Sequence, residues 1–137
     1  MTLIINDLWT ISGMPYVMSP LILHVPHAST TLPPGTREDF LLEAEELAAE
    51  SLRLVDAHTD ELFGAERWPG AVLTAKVSRL VVDVERFADD ALEPCARVGM
   101  GATYVRTTEG TPLRVLSLSR RQELMDQYYW PHHRKLD

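Results

Sequence analysis

The sequence predicts an α/β fold, a sheet with helices on its faces, and three observations carry that expectation. Short apolar runs at residues 21–25, 71–75 and 80–84 read as buried strands. Between the first two, apolar positions recur at helical spacing: Phe40, Ala44, Leu47, Ser51, Leu54, Val55, His58 and Leu62. Strands that alternate with helices build a sheet covered by helices.

Each element has its own signals. Residues 1–20 are apolar but broken by Gly13, Pro15 and Pro20, and read as a strand or hairpin at a sheet edge. The run at 21–25 is bracketed by Pro20 and Pro26, and the Pro33-Pro34-Gly35 cluster closes the loop after it. Thr36 before Arg-Glu-Asp has the form of a helix N-cap. The following helix is expected either from about Phe40 or from about Glu43 after a short turn, with Gly64 as its stop. Glu45, Glu46, Glu50 and Arg53 fall on its opposite, solvated face, whereas His58 falls on the apolar stripe and is expected to pack. A loop spans residues 88–102, and short strands at 103–106 and 113–116 flank a Glu109-Gly110-Thr111-Pro112 turn. Ser119 is expected to cap a last helix through about Tyr129, kinked or restarted at Pro131.

Size and charge bound the function. A chain of 137 residues is expected to form a single domain, residues 1–137, with a real core. Its formal charge of -7 would be repelled by phosphate backbones and anionic lipid, so neither nucleic acid nor a membrane is an expected partner. An anionic small substrate stays possible if arginines are concentrated locally. Cys95 is the sole cysteine, which rules out an intrachain disulfide and a zinc ribbon. No basic segment followed by an apolar one marks a signal peptide, and a cytoplasmic protein is expected.

The polar groups gather at strand ends, where α/β sheets bind ligands. His24 and His27 flank Pro26; three residues apart in extended chain they do not point the same way, so at most one serves as a ligand. His27, past the strand end beside Ser29, Thr30 and Thr31, is the stronger candidate, against the plainer reading of a hydrogen-bonded histidine. Asp56 and Asp60, four apart, would share a helix face and repel unless a metal or an arginine such as Arg53 lies near. Asp83 inside an apolar run needs a partner. Arg79 and Arg86 around it could grip a substrate carboxylate or form a structural ion pair. His132 and His133 sit in an aromatic cluster that fits either a cleft wall or a core edge. Neither a nucleophile elbow, a phosphate-binding glycine loop nor an H-E-x-x-H motif occurs.

The segments HVPHAST with a Pro-Pro pair after it, EEL followed by VDAHTDELFG, VSRLVVDVERF, DDALEPCARVGMGATYVRT and YYWPHH stand in one order. Together, over residues 20–137, they resemble the N-formylglutamate amidohydrolase family. That resemblance implies a phosphorylase/hydrolase-like sheet with flanking helices, related to the zinc carboxypeptidases. It implies zinc-dependent hydrolysis of the C–N amide bond of N-formyl-L-glutamate, or a similar N-acyl amino acid, releasing formate in histidine degradation. Position by position, His27 matches a metal ligand and Asp56 a second, with Asp60 as its alternative. Arg79 and Arg86 would hold the substrate carboxylates, with Ser29, His132 and His133 also on the substrate side. Glu93, in the DDALEP loop, is the candidate general base. The resemblance also implies further strands, with a third metal ligand, beyond residue 137. The sheet is therefore expected to be incomplete at its C-terminus, and the chain to self-associate through its uncovered edge. A non-catalytic binding domain of the same fold that self-associates is the alternative.

Overall fold

The computed structural model of the chain describes residues 21–64 and 71–136, so the strand or hairpin expected at 1–20 lies outside the described residues. Two strands, β1 (Ile22–Val25) and β2 (Ala71–Thr74), pair in parallel with Ile22 opposite Ala71 and Val25 opposite Thr74. The Ala75 N–H extends the ladder to the Val25 carbonyl at 3.0 Å. Pro26 has no N–H to offer and β1 ends there. Parallel neighbours require a crossover, and helices α1 (Ala44–Leu54) and α2 (Thr59–Leu62) lie in it.

Helix α1 starts where the Glu43 N–H donates to the Glu46 carboxylate at 3.1 Å. It does not run on to residue 62. Val55 turns extended, and the Asp56 N–H donates to the His27 carbonyl at 3.0 Å, so the strand exit captures a donor that a longer helix would have used. His58 then takes a left-handed φ of 65° ahead of α2 and projects into solvent, so it does not pack. A side chain at Gly64 would collide with the Asp60 carbonyl, which explains the glycine that follows α2. Glu50 is another departure from the expected solvated face. It is 1% exposed; its Oε1 accepts the Thr108 N–H at 2.6 Å and its Oε2 the Arg53 guanidinium at 3.0 Å.

The apolar run at residues 80–84 is buried throughout but is not a strand. Ser78 captures the next donors: its hydroxyl accepts from the Leu80 N–H at 3.2 Å and its carbonyl from the Val81 N–H at 2.9 Å. That closes a turn and aims Leu80 and Val81 into different cores. Leu80 packs with Phe40, Leu47, Tyr104 and Leu113. Val81 and Val82 pack with Val77, Ala102, Leu124, Met125 and Tyr129. The expected strands at 103–106 and 113–116 reduce to isolated bridges, Arg106 with Pro112 and Phe40 with Arg114. The turn between them is present, with Gly110 at φ 81°.

Thr36 precedes only the short 3-10 turn Arg37–Asp39, its hydroxyl bonded to the Pro33 carbonyl at 2.7 Å. Ser117, not Ser119, caps α3 (Leu118–Leu124), accepting the Arg120 N–H at 3.1 Å. The chain then widens into a π-helical stretch, Met125–Tyr129, before α4 (Trp130–His133). Pro131 supplies the reason. Its ring would press on the carbonyl four residues back, at Gln127, and the wider turn relieves that contact. Tyr129 is buried and only Trp130 of the terminal aromatics is substantially exposed. Among the described residues, no helix is long and apolar enough to cross a membrane.

The Glu50 contacts give a test. Glu50→Ala removes the buried acceptor of the Thr108 N–H, the Thr108 hydroxyl and the Arg53 guanidinium, and should cost about 1–3 kcal/mol. Glu45→Ala, on the exposed part of the same helix, should stay within about 0.5 kcal/mol. Urea midpoints at unchanged slope would separate the two, and equal effects would refute the buried role.

Candidate functional site

The exits of β1 and β2 and the turn at residues 78–86 meet around Asp83, which is 0% exposed. Its Oδ1 lies 2.8 Å from His27 Nε2 and accepts the Glu85 N–H at 3.0 Å. Its Oδ2 accepts Arg79 Nη2 at 2.6 Å, Arg79 Nε at 3.0 Å and the Tyr104 hydroxyl at 2.7 Å. Burial alone would push this carboxyl up; the His27 hydrogen bond, the Arg79 charge and the Tyr104 hydroxyl together hold it well below the usual carboxylate range. Burial, followed by the Asp83 charge, pushes the Tyr104 phenol up to about 12, so it remains a donor.

An ionised carboxylate only accepts, so the proton between Asp83 and His27 sits on Nε2 of the imidazole. The other ring nitrogen, Nδ1, faces Asp56 Oδ2 at 3.4 Å. The backbone sets this approach, through the hydrogen bond from Asp56 N–H to the His27 carbonyl. His27 is buried, Asp56 is exposed, and Glu85 Oε2 lies 3.7 Å from His27 Nε2.

His27, Arg79 and Asp56 are thus brought together at the carboxyl edge of the strands, as the apolar runs ahead of them suggested. The other candidates are placed differently. Asp60 lies in α2, outside the helix that was to align it with Asp56, and its Oδ1 accepts the Glu61 N–H at 3.1 Å. The like-charge argument for that pair therefore falls. Ser29 ties the two strand exits, donating to the Lys76 carbonyl at 3.0 Å and accepting from Thr31 N–H at 3.1 Å. Arg79 is engaged by Asp83 and, at 3.4 Å, by the Leu54 carbonyl. Arg86 lies 3.5 Å from Glu93 and 3.1 Å from Cys95 Sγ, and its Nε faces Asp83 Oδ2 at 3.5 Å, an ion pair without hydrogen-bond geometry.

Glu93 does not have the setting of a general base. It is buried, its Oε1 accepts the Cys95 N–H at 2.9 Å and its Oε2 the Phe87 N–H at 3.0 Å. Burial opposes its ionisation, but those two N–H groups, followed by the Arg86 charge, hold its pKa below the ordinary value. Its oxygens are occupied in capping the 3-10 turn Pro94–Val98.

The two terminal histidines fasten α4. His132 Nε2 meets His24 Nε2 at 2.8 Å, and His133 Nε2 donates to the Val84 carbonyl at 2.9 Å while its ring stacks on Tyr129. Burial, then the neighbouring His24, His133 and Lys135, lower His132 to about 4.

Tyr104 and Glu85 join the site without having been singled out from the sequence. A tyrosine within an apolar stretch carries no signal of a polar partner. Glu85 did have one, its place in the Asp83-Val84-Glu85-Arg86 segment, but a strand reading puts it beside Asp83 on a shared face rather than around a turn.

Two donors each about 2.0–2.2 Å from one tetrahedral zinc stand about 3.4 Å apart. The 3.4 Å separation of His27 Nδ1 and Asp56 Oδ2 fits two ligands of one ion. Among the described residues, no group of three or more His, Cys, Asp or Glu side chains is placed to hold a metal.

Residues 19–137 match the sequence profile of a family described as N-formylglutamate amidohydrolase. An N-formylglutamate deformylase of Pseudomonas putida is 32% identical over 120 residues, covering 83% of this chain and 42% of the relative. The crystal structure of an N-formylglutamate amidohydrolase from Ralstonia eutropha JMP134 superposes with a TM-score of 0.71 at 26% identity. That superposition covers 87% of this chain and 46% of the other. The chain thus spans less than half the length of these relatives.

The electrostatics give two predictions. A buried neutral His132 with a lowered pKa stabilises the fold above the ordinary histidine value near 6.5, and that contribution is lost as pH falls from there toward about 4. Melting temperatures followed from pH 7.5 to 4 should fall through that window and flatten in His132→Asn; an unchanged slope would refute the linkage. Asp83→Asn, which strips the charge from a buried pair, should cost about 3–5 kcal/mol in chemical denaturation.

Proposed function

Since the chain belongs to the N-formylglutamate amidohydrolase family, we propose that it carries the metal- and substrate-facing strand edge of a deformylase acting on N-formyl-L-glutamate or a close N-acyl amino acid. One observation carries the reading: His27 has its Nε2–H taken by Asp83 and its Nδ1 turned toward Asp56 at 3.4 Å. A carboxylate that fixes the far nitrogen of an imidazole is the usual support of a metal-binding histidine.

In this reading His27 and Asp56 are two ligands of a zinc ion, which when bound supplies Lewis-acid chemistry to the hydrolysis. Asp83 holds the imidazole in the tautomer that offers Nδ1, and the Arg79 guanidinium keeps Asp83 ionised. The substrate carboxylate falls to Arg86 rather than Arg79, because Arg79 is 12% exposed and held by Asp83 at 2.6 Å, whereas Arg86 is 28% exposed and its carboxylate neighbours, Asp83 and Glu93, stand at 3.5 Å. Glu85 takes the acid–base role expected of Glu93. Its carboxylate is 61% exposed, lies 3.7 Å from His27 Nε2, and accepts no hydrogen bond from the described residues that would hold it. Its part is to receive a proton from the attacking water and return one to the leaving amine, a contribution of typically 10²–10⁴-fold.

Formate release from N-formyl-L-glutamate, compared with N-acetyl-L-glutamate and N-formyl-L-leucine, tests the substrate, and a preference for the formylated dicarboxylate is expected. Zinc titration calorimetry tests the ligands separately: His27→Gln and Asp56→Asn should each abolish binding, and Asp83→Asn should weaken it about 10–100-fold. Zinc affinity unaffected by His27→Gln would overturn the assignment.

A further inference from the structure

Arg114 is the largest fully buried side chain described, and it is a cation with no carboxylate of the described residues within ion-pair distance; Asp39 is paired with Arg120 instead. Such a group costs desolvation that an apolar residue of similar volume would avoid. Its contacts show what the guanidinium does. Nε donates to the Tyr104 carbonyl at 2.6 Å and Nη2 to the Val81 carbonyl at 3.0 Å, and the fork lies over the Phe40 ring, 5.1 Å from its centroid. Nη1 is buried with no acceptor, so the side chain is not placed to satisfy all of its donors. It is placed to span two carbonyls.

Those two carbonyls belong to the segments of chain that meet at Asp83. Val81 stands two residues before Asp83, and Tyr104 is itself the residue whose hydroxyl bonds Asp83 Oδ2 at 2.7 Å. The same two segments are joined once more by the Asp83 N–H to the Ala102 carbonyl at 2.8 Å. A planar fork with donors at fixed separation sets the spacing of two carbonyls, which a lysine with a single ammonium does less well.

We infer that Arg114 is a positioning residue. By clamping Val81 to Tyr104 it keeps the Asp83 carboxylate on His27 Nε2, and so fixes the imidazole tautomer that presents Nδ1 at the strand edge. The inference rests on the reading of His27 as the working group of the site, but its test needs neither metal nor substrate.

Ring nitrogens of ¹⁵N-labelled protein report the tautomer directly in long-range ¹H–¹⁵N spectra. His27→Gln assigns the His27 signals. In the unsubstituted chain His27 should show a protonated Nε2 and a bare Nδ1. Arg114→Met, which keeps the packing over Phe40, should leave a folded protein whose His27 signals move to an average of the two tautomers, as in Asp83→Asn. Arg114→Lys should fall between. A lower melting temperature with His27 still held in one tautomer in both variants would make Arg114 purely structural and overturn the inference, and unfolding of both would do the same. Failure of formate release in the unsubstituted chain, with the tautomer shift intact, would instead count against the deformylase reading alone.

Discussion

A carboxylate with no solvent contact organises the described structure. Burying Asp83 as an anion would be prohibitive without donors on every side, and the chain supplies them from three separate stretches: His27 from the exit of β1, Arg79 from the turn after β2, and Tyr104 from the segment beyond the 3-10 turn. Each must reach one carboxylate, so the relative placement of these stretches is set by the charge rather than by sheet pairing alone. That matters because, among the described residues, the sheet is a single parallel pair. The two hydrophobic clusters pack on either side of the turn that carries Asp83, and both Leu80 and Val81 adjoin it.

Stability and function share this arrangement. The Asp83 carboxylate that these donors make tolerable is the group that orients His27, helps burial to keep the Tyr104 phenol protonated and engages Arg79. The two arginines flanking Asp83 look equivalent in sequence, yet they part company in space. Arg79 grips Asp83 at 2.6 Å, and Arg86 lies further out, 3.5 Å from both Asp83 and Glu93 and against Cys95. Two glutamates within eight residues divide in the same way. Glu93 is locked by backbone donors, and Glu85 stands open beside His27.

Much of the site was legible because polar residues interrupting apolar runs are rare and need partners. His27 after β1 and Asp83 within a run of valines were conspicuous on that ground, and Arg79 was the natural partner. The helix register was less reliable. Asp56 and Asp60 looked like one face of one helix, but the His27 carbonyl took the Asp56 N–H and ended that helix early. Glu50 shows the reverse failure, an acid on the apparently polar face whose acceptors are needed by a turn 58 residues away.

What the sequence determined by itself was local: where apolar runs must be buried, where proline ends a strand or widens a helix, and which motifs align this chain with its family. Tertiary structure decided the rest. Residues 80–84 are as apolar as a central strand, but Ser78 diverts their donors into a turn, and no periodicity distinguishes a buried turn from a buried strand. Tyr104 and Arg114 owe their roles to contacts with residues 21 and 33 positions away in the chain. Hydrogen-bond partners at such separations are chosen by the packed fold, because local propensity acts over only a few neighbouring residues, whereas a buried charge accepts whichever donors the fold brings to it.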